Sequence, residues 1–183
     1  FVDFLRQLGS DQRWDDVPGL AFKKNGQHVH NRPRELSENI DDLLPARECL
    51  YDVENYEPHA LAKLFASRGC PYQCNYCGTQ NIWTFKVRHR STESVIKEVE
   101  HVKKEYGSMY FTFFDDVFGL DKKRAIDLCE DMTRAQLGVR WDCLTRANLV
   151  SSELLTAILL QNKFTISDVN ATGSLAAAQR ASA

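Results

Sequence analysis

The sequence predicts an α/β fold: a partial (β/α) barrel with about three parallel strands, preceded by a β-hairpin connector. Three observations carry that expectation. Strand and helix patterns alternate after Tyr56, Met109 to Phe114 is a nearly continuous apolar and aromatic run, and Asn25-Gly26 sits between two short strand-like runs. Alternating strand and helix segments favour a parallel sheet with right-handed crossovers. An unbroken apolar run suits a strand covered on both faces. Asn-Gly is the strongest short hairpin signal, so Leu20 to Asn31 is read as a hairpin.

Each element follows from its residues. Arg32 to Tyr56 contains Pro33 and Pro45 and has little periodicity, which predicts an extended connector with at most a short helix. Ala62 to Ser67 reads as a first strand, ending at Arg68-Gly69. Ser91 or Thr92 can cap a helix with Val95, Val99, Val102 and Tyr106 on one face, stopped by Gly107. After Met109 to Phe114, which ends at Asp115-Asp116, Asp121 can cap a second helix with Ala125, Leu128, Cys129 and Met132 turned inward. Val139 to Arg146 alternates as a third strand. Ser151 or Ser152 opens a third helix through Leu154, Leu155, Ile158 and Leu159. These elements define three regions: 1–56 as the end of an upstream domain plus connector, 57–162 as half of a barrel, and 163–183 as an atypical, Ala-rich tail expected to be disordered. The opening at Phe1 lacks the basic and apolar regions of a secretion signal and reads as cut from a longer chain.

Composition narrows the class. The 183 residues are 43% hydrophobic and 26% charged, fractions ordinary for a soluble globular protein, which is the class expected here. No apolar run approaches the roughly 20 residues needed to span a bilayer. The net charge of −2, from 23 basic and 25 acidic residues, does not favour a nucleic-acid partner. Lys103-Lys104 and Lys122-Lys123-Arg124 read as solvated helix faces. A cytoplasmic, reducing setting is expected, because three of the six cysteines crowd into residues 70–77 while Cys49, Cys129 and Cys143 are scattered.

Cys70-Pro71-Tyr72-Gln73-Cys74-Asn75-Tyr76-Cys77 has the spacing Cys-x3-Cys-x2-Cys. Three thiolates on one loop can grip one compact metal centre, whereas a closed iron–sulfur site takes four. An incomplete ligand set is how metal sites keep a position open for substrate. The loop also leaves the C-terminal end of the first strand, where catalytic loops of parallel barrels gather. Two other readings compete: a structural zinc site with His59, His89 or Cys49 as fourth ligand, and an electron-transfer cluster. Cys129 and Cys143 read as core, and His28 and His30 as surface residues of a hairpin strand.

In this spacing, with an aromatic residue before the last cysteine, the sequence resembles the radical S-adenosylmethionine superfamily. Pro18-Gly19-Leu20-Ala21-Phe22, Pro33-Arg34 leading to Leu43-Leu44-Pro45-Ala46, Arg88-His89-Arg90-Ser91, Phe114-Asp115-Asp116-Val117-Phe118 and Arg140-Trp141-Asp142-Cys143 through Arg146-Ala147 look like its cobalamin-dependent subgroup. The resemblance implies a truncated radical SAM partial barrel whose 4Fe–4S cluster is held by Cys70, Cys74 and Cys77. S-adenosylmethionine would chelate the open iron, and reductive cleavage would give a 5′-deoxyadenosyl radical. It further implies that Tyr76 packs beside the adenine, and that Asp115, Asp116 and Arg146 contact S-adenosylmethionine or substrate. Cobalamin would belong to the full-length parent, and the partners would be a small-molecule substrate and an electron donor such as flavodoxin or ferredoxin. The Ala-rich tail departs from the family, which continues into a Gly-rich fourth strand, so the fragment alone is expected to be incomplete or inactive.

Overall fold

A computed structural model describes residues 2–9, 13–43 and 45–162, so the tail expected over residues 163–183 lies outside the described residues. The chain divides into two compact units at Ser37/Glu38. The first contains helix α1 (Val2–Leu8) and strands β1 (Ala21–Lys24) and β2 (Gln27–His30), paired antiparallel with Lys24 opposite Gln27. Asn25 and Gly26 join the strands with φ of 51° and 81°. Two successive left-handed residues make the turn whose twist matches a two-residue hairpin. Asn31 Nδ2 donates to the carbonyls of Trp14 and Val17, which ties the hairpin to the preceding segment. His28 and His30 are both exposed.

The second unit contains α2 (Pro58–Leu61), β3 (Lys63–Leu64), β4 (Ser67–Arg68), α3 (Thr79–Trp83), β5 (Arg88–His89), α4 (Thr92–Tyr106), β6 (Tyr110–Phe113), α5 (Lys122–Arg134), β7 (Arg140–Cys143) and α6 (Ser152–Asn162). Residues 38–56, read from the sequence as connector, group with this unit, and the reason is buried charge. Arg47 reaches the Lys63 carbonyl and pairs with Glu98 of α4, which also pairs with Arg90. Asp41 accepts from the backbone N–H of Ser91 at 2.9 Å.

A three-stranded parallel sheet of order β3-β6-β7 organises the unit. Leu64 lies opposite Phe113, and Phe111 opposite Trp141. One face of the sheet sends Leu64, Phe111, Phe113 and Trp141 into a core completed by Val95, Val99 and Val102 of α4, Leu128 and Met132 of α5 and Leu154 of α6. Side chains alternate across a strand, so Tyr110, Thr112 and Asp142 occupy the opposite face. That face is polar: Lys63 Nζ donates to Thr112 at 3.1 Å and the Tyr110 hydroxyl to Asp142 at 2.7 Å. The expectation that Met109 to Phe114 is covered on both faces therefore fails, since Tyr110 is 42% exposed.

The helices begin and end on local signals. The Ser91 hydroxyl accepts from the Ser94 N–H at the start of α4, which ends at Gly107. Asp121 accepts from the Arg124 N–H to start α5, and the Ser151 hydroxyl accepts from the Leu154 N–H to start α6. No helix of the described residues is long and apolar enough to cross a membrane.

Candidate metal centre

The first strand predicted over Ala62 to Ser67 is split in the structure. The ladder to β6 ends where the Phe114 N–H meets the Leu64 carbonyl at 2.8 Å. Beyond it the Asp115 side chain takes over, accepting from the Ala66 N–H at 2.8 Å and from the Ser67 hydroxyl. The chain peels away from the sheet and pairs instead with β5, Ser67 opposite His89 and Arg68 opposite Arg88. This ribbon closes the base of the segment that carries the cysteines.

Gly69 stands at the crossing with φ of 101°. A Cβ there would overlap the Lys86 carbonyl oxygen and lie 3.1 Å from its carbon, so only a residue without a side chain fits. Cys70 is buried directly after it, and Cys74 and Cys77 are half-buried in a turn where the Cys77 N–H donates to the Cys74 carbonyl at 3.0 Å. Aromatic and cationic groups brace the rest of the loop. The Arg68 guanidinium lies over the rings of Phe65 and Trp83, 3.2 and 5.2 Å from their centroids, which fastens α3 to the ribbon.

Asp116 and Arg146 meet the loop from the sheet. Asp116 accepts from the Gly69 N–H at 2.9 Å and from the Thr79 hydroxyl at 3.3 Å. The Cys77 thiol donates to the same hydroxyl at 3.3 Å, and hydrogen bonding with the Thr79 side chain and backbone holds the thiol's pKa below its ordinary value. Arg146, just beyond β7, donates through Nη1 to the Cys74 sulfur at 3.2 Å and covers the Tyr72 ring at 4.0 Å. That bond to Cys74 is the main reason the Arg146 pKa is raised.

The structure thus brings five of the residues singled out in the sequence, Cys74, Cys77, Asp115, Asp116 and Arg146, into one hydrogen-bonded arrangement around the loop that Cys70 opens. Tyr76 stands apart from it, 92% exposed at the loop tip. The oxygens of Asp115 and Asp116 are engaged with the loop and its base. Arg68 and Gly69 are read from the sequence only as the end of the first strand, and Thr79 and Trp83 escape that reading. Thr79 is signalled only by its place two residues after the last cysteine.

Among the described residues no three His, Cys, Asp or Glu side chains converge as a single metal ion requires. A cluster asks for something different. Each thiolate takes its own iron, so the sulfurs surround a body instead of meeting at a point. Three free cysteines on one closed loop, one of them already held near a cationic donor, fit that demand. Cys129 and Cys143 lie elsewhere, their thiols pushed up to about 12 by burial, as core residues are.

Asp115 carries a pH signature. It is 5% exposed, and burial raises its pKa above the ordinary 3.8 despite the donors around it. The folded chain therefore disfavours the charged form. This contribution to stability is fully present below the unfolded value and is lost as pH rises through the higher folded value. Asp115→Asn is expected to flatten that fall, read as the urea midpoint measured on either side of the window.

No family model matches the chain. An uncharacterised methyltransferase of Pyrococcus horikoshii is 29% identical over 160 residues, which cover 86% of this chain and 35% of that protein. Two solved structures share the fold. The radical S-adenosylmethionine methyltransferase TsrM from Kitasatospora setae, with cobalamin and a 4Fe–4S cluster bound, superposes with a TM-score of 0.68 at 16% identity, covering 88% of this chain and 34% of its own. The cobalamin-dependent S-adenosylmethionine radical enzyme OxsB, with aqua-cobalamin and S-adenosylmethionine bound, gives 0.64 at 20% identity, covering 85% and 24%. The chain has the fold of these radical S-adenosylmethionine enzymes. The mixed α/β fold with its parallel β3-β6-β7 sheet matches those structures. The chain spans about a quarter to a third of the length of these three proteins.

Proposed function

We propose that Cys70, Cys74 and Cys77 hold a 4Fe–4S cluster with one iron left for S-adenosylmethionine, as the radical half of a cobalamin-dependent enzyme that methylates a small molecule. The observation that carries this reading is the closed cysteine loop beside the C-terminal ends of β3, β6 and β7, with Arg146 on the Cys74 sulfur. When bound, such a cluster supplies the electron that reductively cleaves S-adenosylmethionine. The chain's own residues do the positioning. Asp115 pins the strand entering the loop, Gly69 allows the loop to cross over Lys86, and Arg146 places a positive charge against a ligand sulfur. A hydrogen bond to a ligand sulfur is one of the factors that set a cluster's potential. The exposed Tyr76 is available to stack on the adenine, and the polar face of Lys63, Thr112 and Asp142 is available to substrate. The half-barrel arrangement, the external electron donor and the cobalamin site in the rest of the enzyme belong to the same proposal.

Anaerobic treatment of the chain with iron and sulfide tests it. The expected product is brown, with a broad visible absorbance that disappears when the three cysteines are replaced together by Ala. A colourless, zinc-loaded protein overturns the reading. Adding S-adenosylmethionine to the reduced protein is expected to change the cluster's electron paramagnetic resonance spectrum. An unchanged spectrum indicates a simple electron-transfer centre.

A further inference from the structure

We infer that Asp116 is a positioning residue that fastens both ends of the cysteine loop to one carboxylate. The inference rests on the proposed cluster and goes beyond it, because it assigns Asp116 to the loop and not to S-adenosylmethionine or substrate. Gly69 immediately precedes Cys70, and Thr79 follows Cys77 by two residues. Their N–H and hydroxyl end on different oxygens of the same side chain, Oδ2 at 2.9 Å and Oδ1 at 3.3 Å.

Asp116 is well placed to hold. It lies three residues past the end of β6 and adjoins Asp115, which is itself locked to Ala66 and Ser67. The two carboxylates therefore secure the chain on both sides of the crossing at Gly69. Thr79 extends the strap to a ligand, since its hydroxyl also meets the Cys77 sulfur at 3.3 Å. Helix capping does not account for this contact: α3 starts at Thr79 with Gly78 before it and has no side-chain cap. Hydrogen bonds to a charged acceptor are stronger than neutral ones. Holding both ends in place lowers the ordering cost that three ligands on an open loop would meet when a cluster assembles.

The test uses the full chain, reconstituted anaerobically with iron and sulfide, and follows bleaching of the visible absorbance by a chelator. Removal of a group that orients metal ligands commonly weakens metal binding by about 10- to 100-fold. Asp116→Ala is expected to bleach at least about tenfold faster than wild type, with Asp116→Asn in between. Thr79→Val keeps the Gly69 bond, so it is expected to bleach faster by a smaller factor and to shift the cluster's reduction potential. Thr79→Ser, which restores the hydroxyl, is expected to return both to wild type.

Bleaching at the wild-type rate in Asp116→Ala and Thr79→Val overturns the inference. So does a normal rate combined with weakened S-adenosylmethionine binding, because that outcome makes Asp116 a ligand contact. If circular dichroism shows Asp116→Ala unfolded, Thr79→Val and its serine rescue decide. A wild-type chain that takes up no colour sinks the cluster reading itself, and with it this inference. Loaded wild type with unaffected variants sinks the inference alone.

Discussion

Gly69→Ala is expected to reduce iron uptake at the cysteine loop to the level of the variant lacking all three cysteines, while leaving the parallel sheet folded. Two independent penalties act at this position. A φ of 101° lies where side-chain-bearing residues are strained, at a cost of about 1–3 kcal/mol. The new methyl would also overlap the Lys86 carbonyl, and relief would require the loop strands to move apart. Separation breaks the β4–β5 ribbon and carries the Gly69 N–H away from Asp116. The damage is local because the core of α4, α5, β6 and β7 does not include this crossing. The far-ultraviolet circular dichroism spectrum should therefore be retained while iron per chain falls. Gly26→Ala is the control: it is also strained, with φ of 81°, but its methyl would meet nothing within 4 Å, so iron uptake is expected to be normal. Full iron loading of Gly69→Ala would show that the crossing does not govern the site.

What the sequence made legible, and what it did not, divides by range. The start of α4 at Ser91 and its end at Gly107, the Asp121 cap of α5 and the Asn25-Gly26 turn are decided within a few residues, and local patterns reveal them. The split between β3 and β4 is decided by Asp115, which lies in a different part of the chain from Ala66 and Ser67. Nothing in the run Ala62 to Ser67 announces that a distant carboxylate will replace the ladder. The same holds for residues 38–56, whose irregular composition suggested a connector. Arg47 finds Glu98 only once α4 is in place, and burial of that pair draws the segment into the second unit. At the site, the cysteine spacing was readable because one loop contains it. Asp115, Asp116 and Arg146 were identified as residues of interest, but their links to Ala66, Gly69, Thr79 and Cys74 required the fold.

Trp141→Ala is expected to destabilise the chain by about 3–5 kcal/mol, the usual cost of deleting a large buried aromatic side chain. Trp141 is 2% exposed on β7, opposite Phe111. Its ring meets Phe113 edge-on at 4.9 Å and 84°, and Phe118 at 5.3 Å. These three rings join β6, the loop after it and β7 beneath the site. Asp115 and Asp116 extend from the end of β6 and Arg146 from beyond the end of β7, so both sets of loop contacts stand on this aromatic layer. A cavity there removes cohesion between the two strands, and the distance between Asp116 and Arg146 becomes less well defined. The expected result has two parts: a lower urea midpoint with an unchanged slope, and faster chelator bleaching of the reconstituted protein under conditions where it is still folded. Trp141→Phe fills much of the space and should recover most of both. A Trp141→Ala protein with a lowered midpoint but wild-type bleaching would show that the carboxylates and Arg146 keep their places without the rings below them.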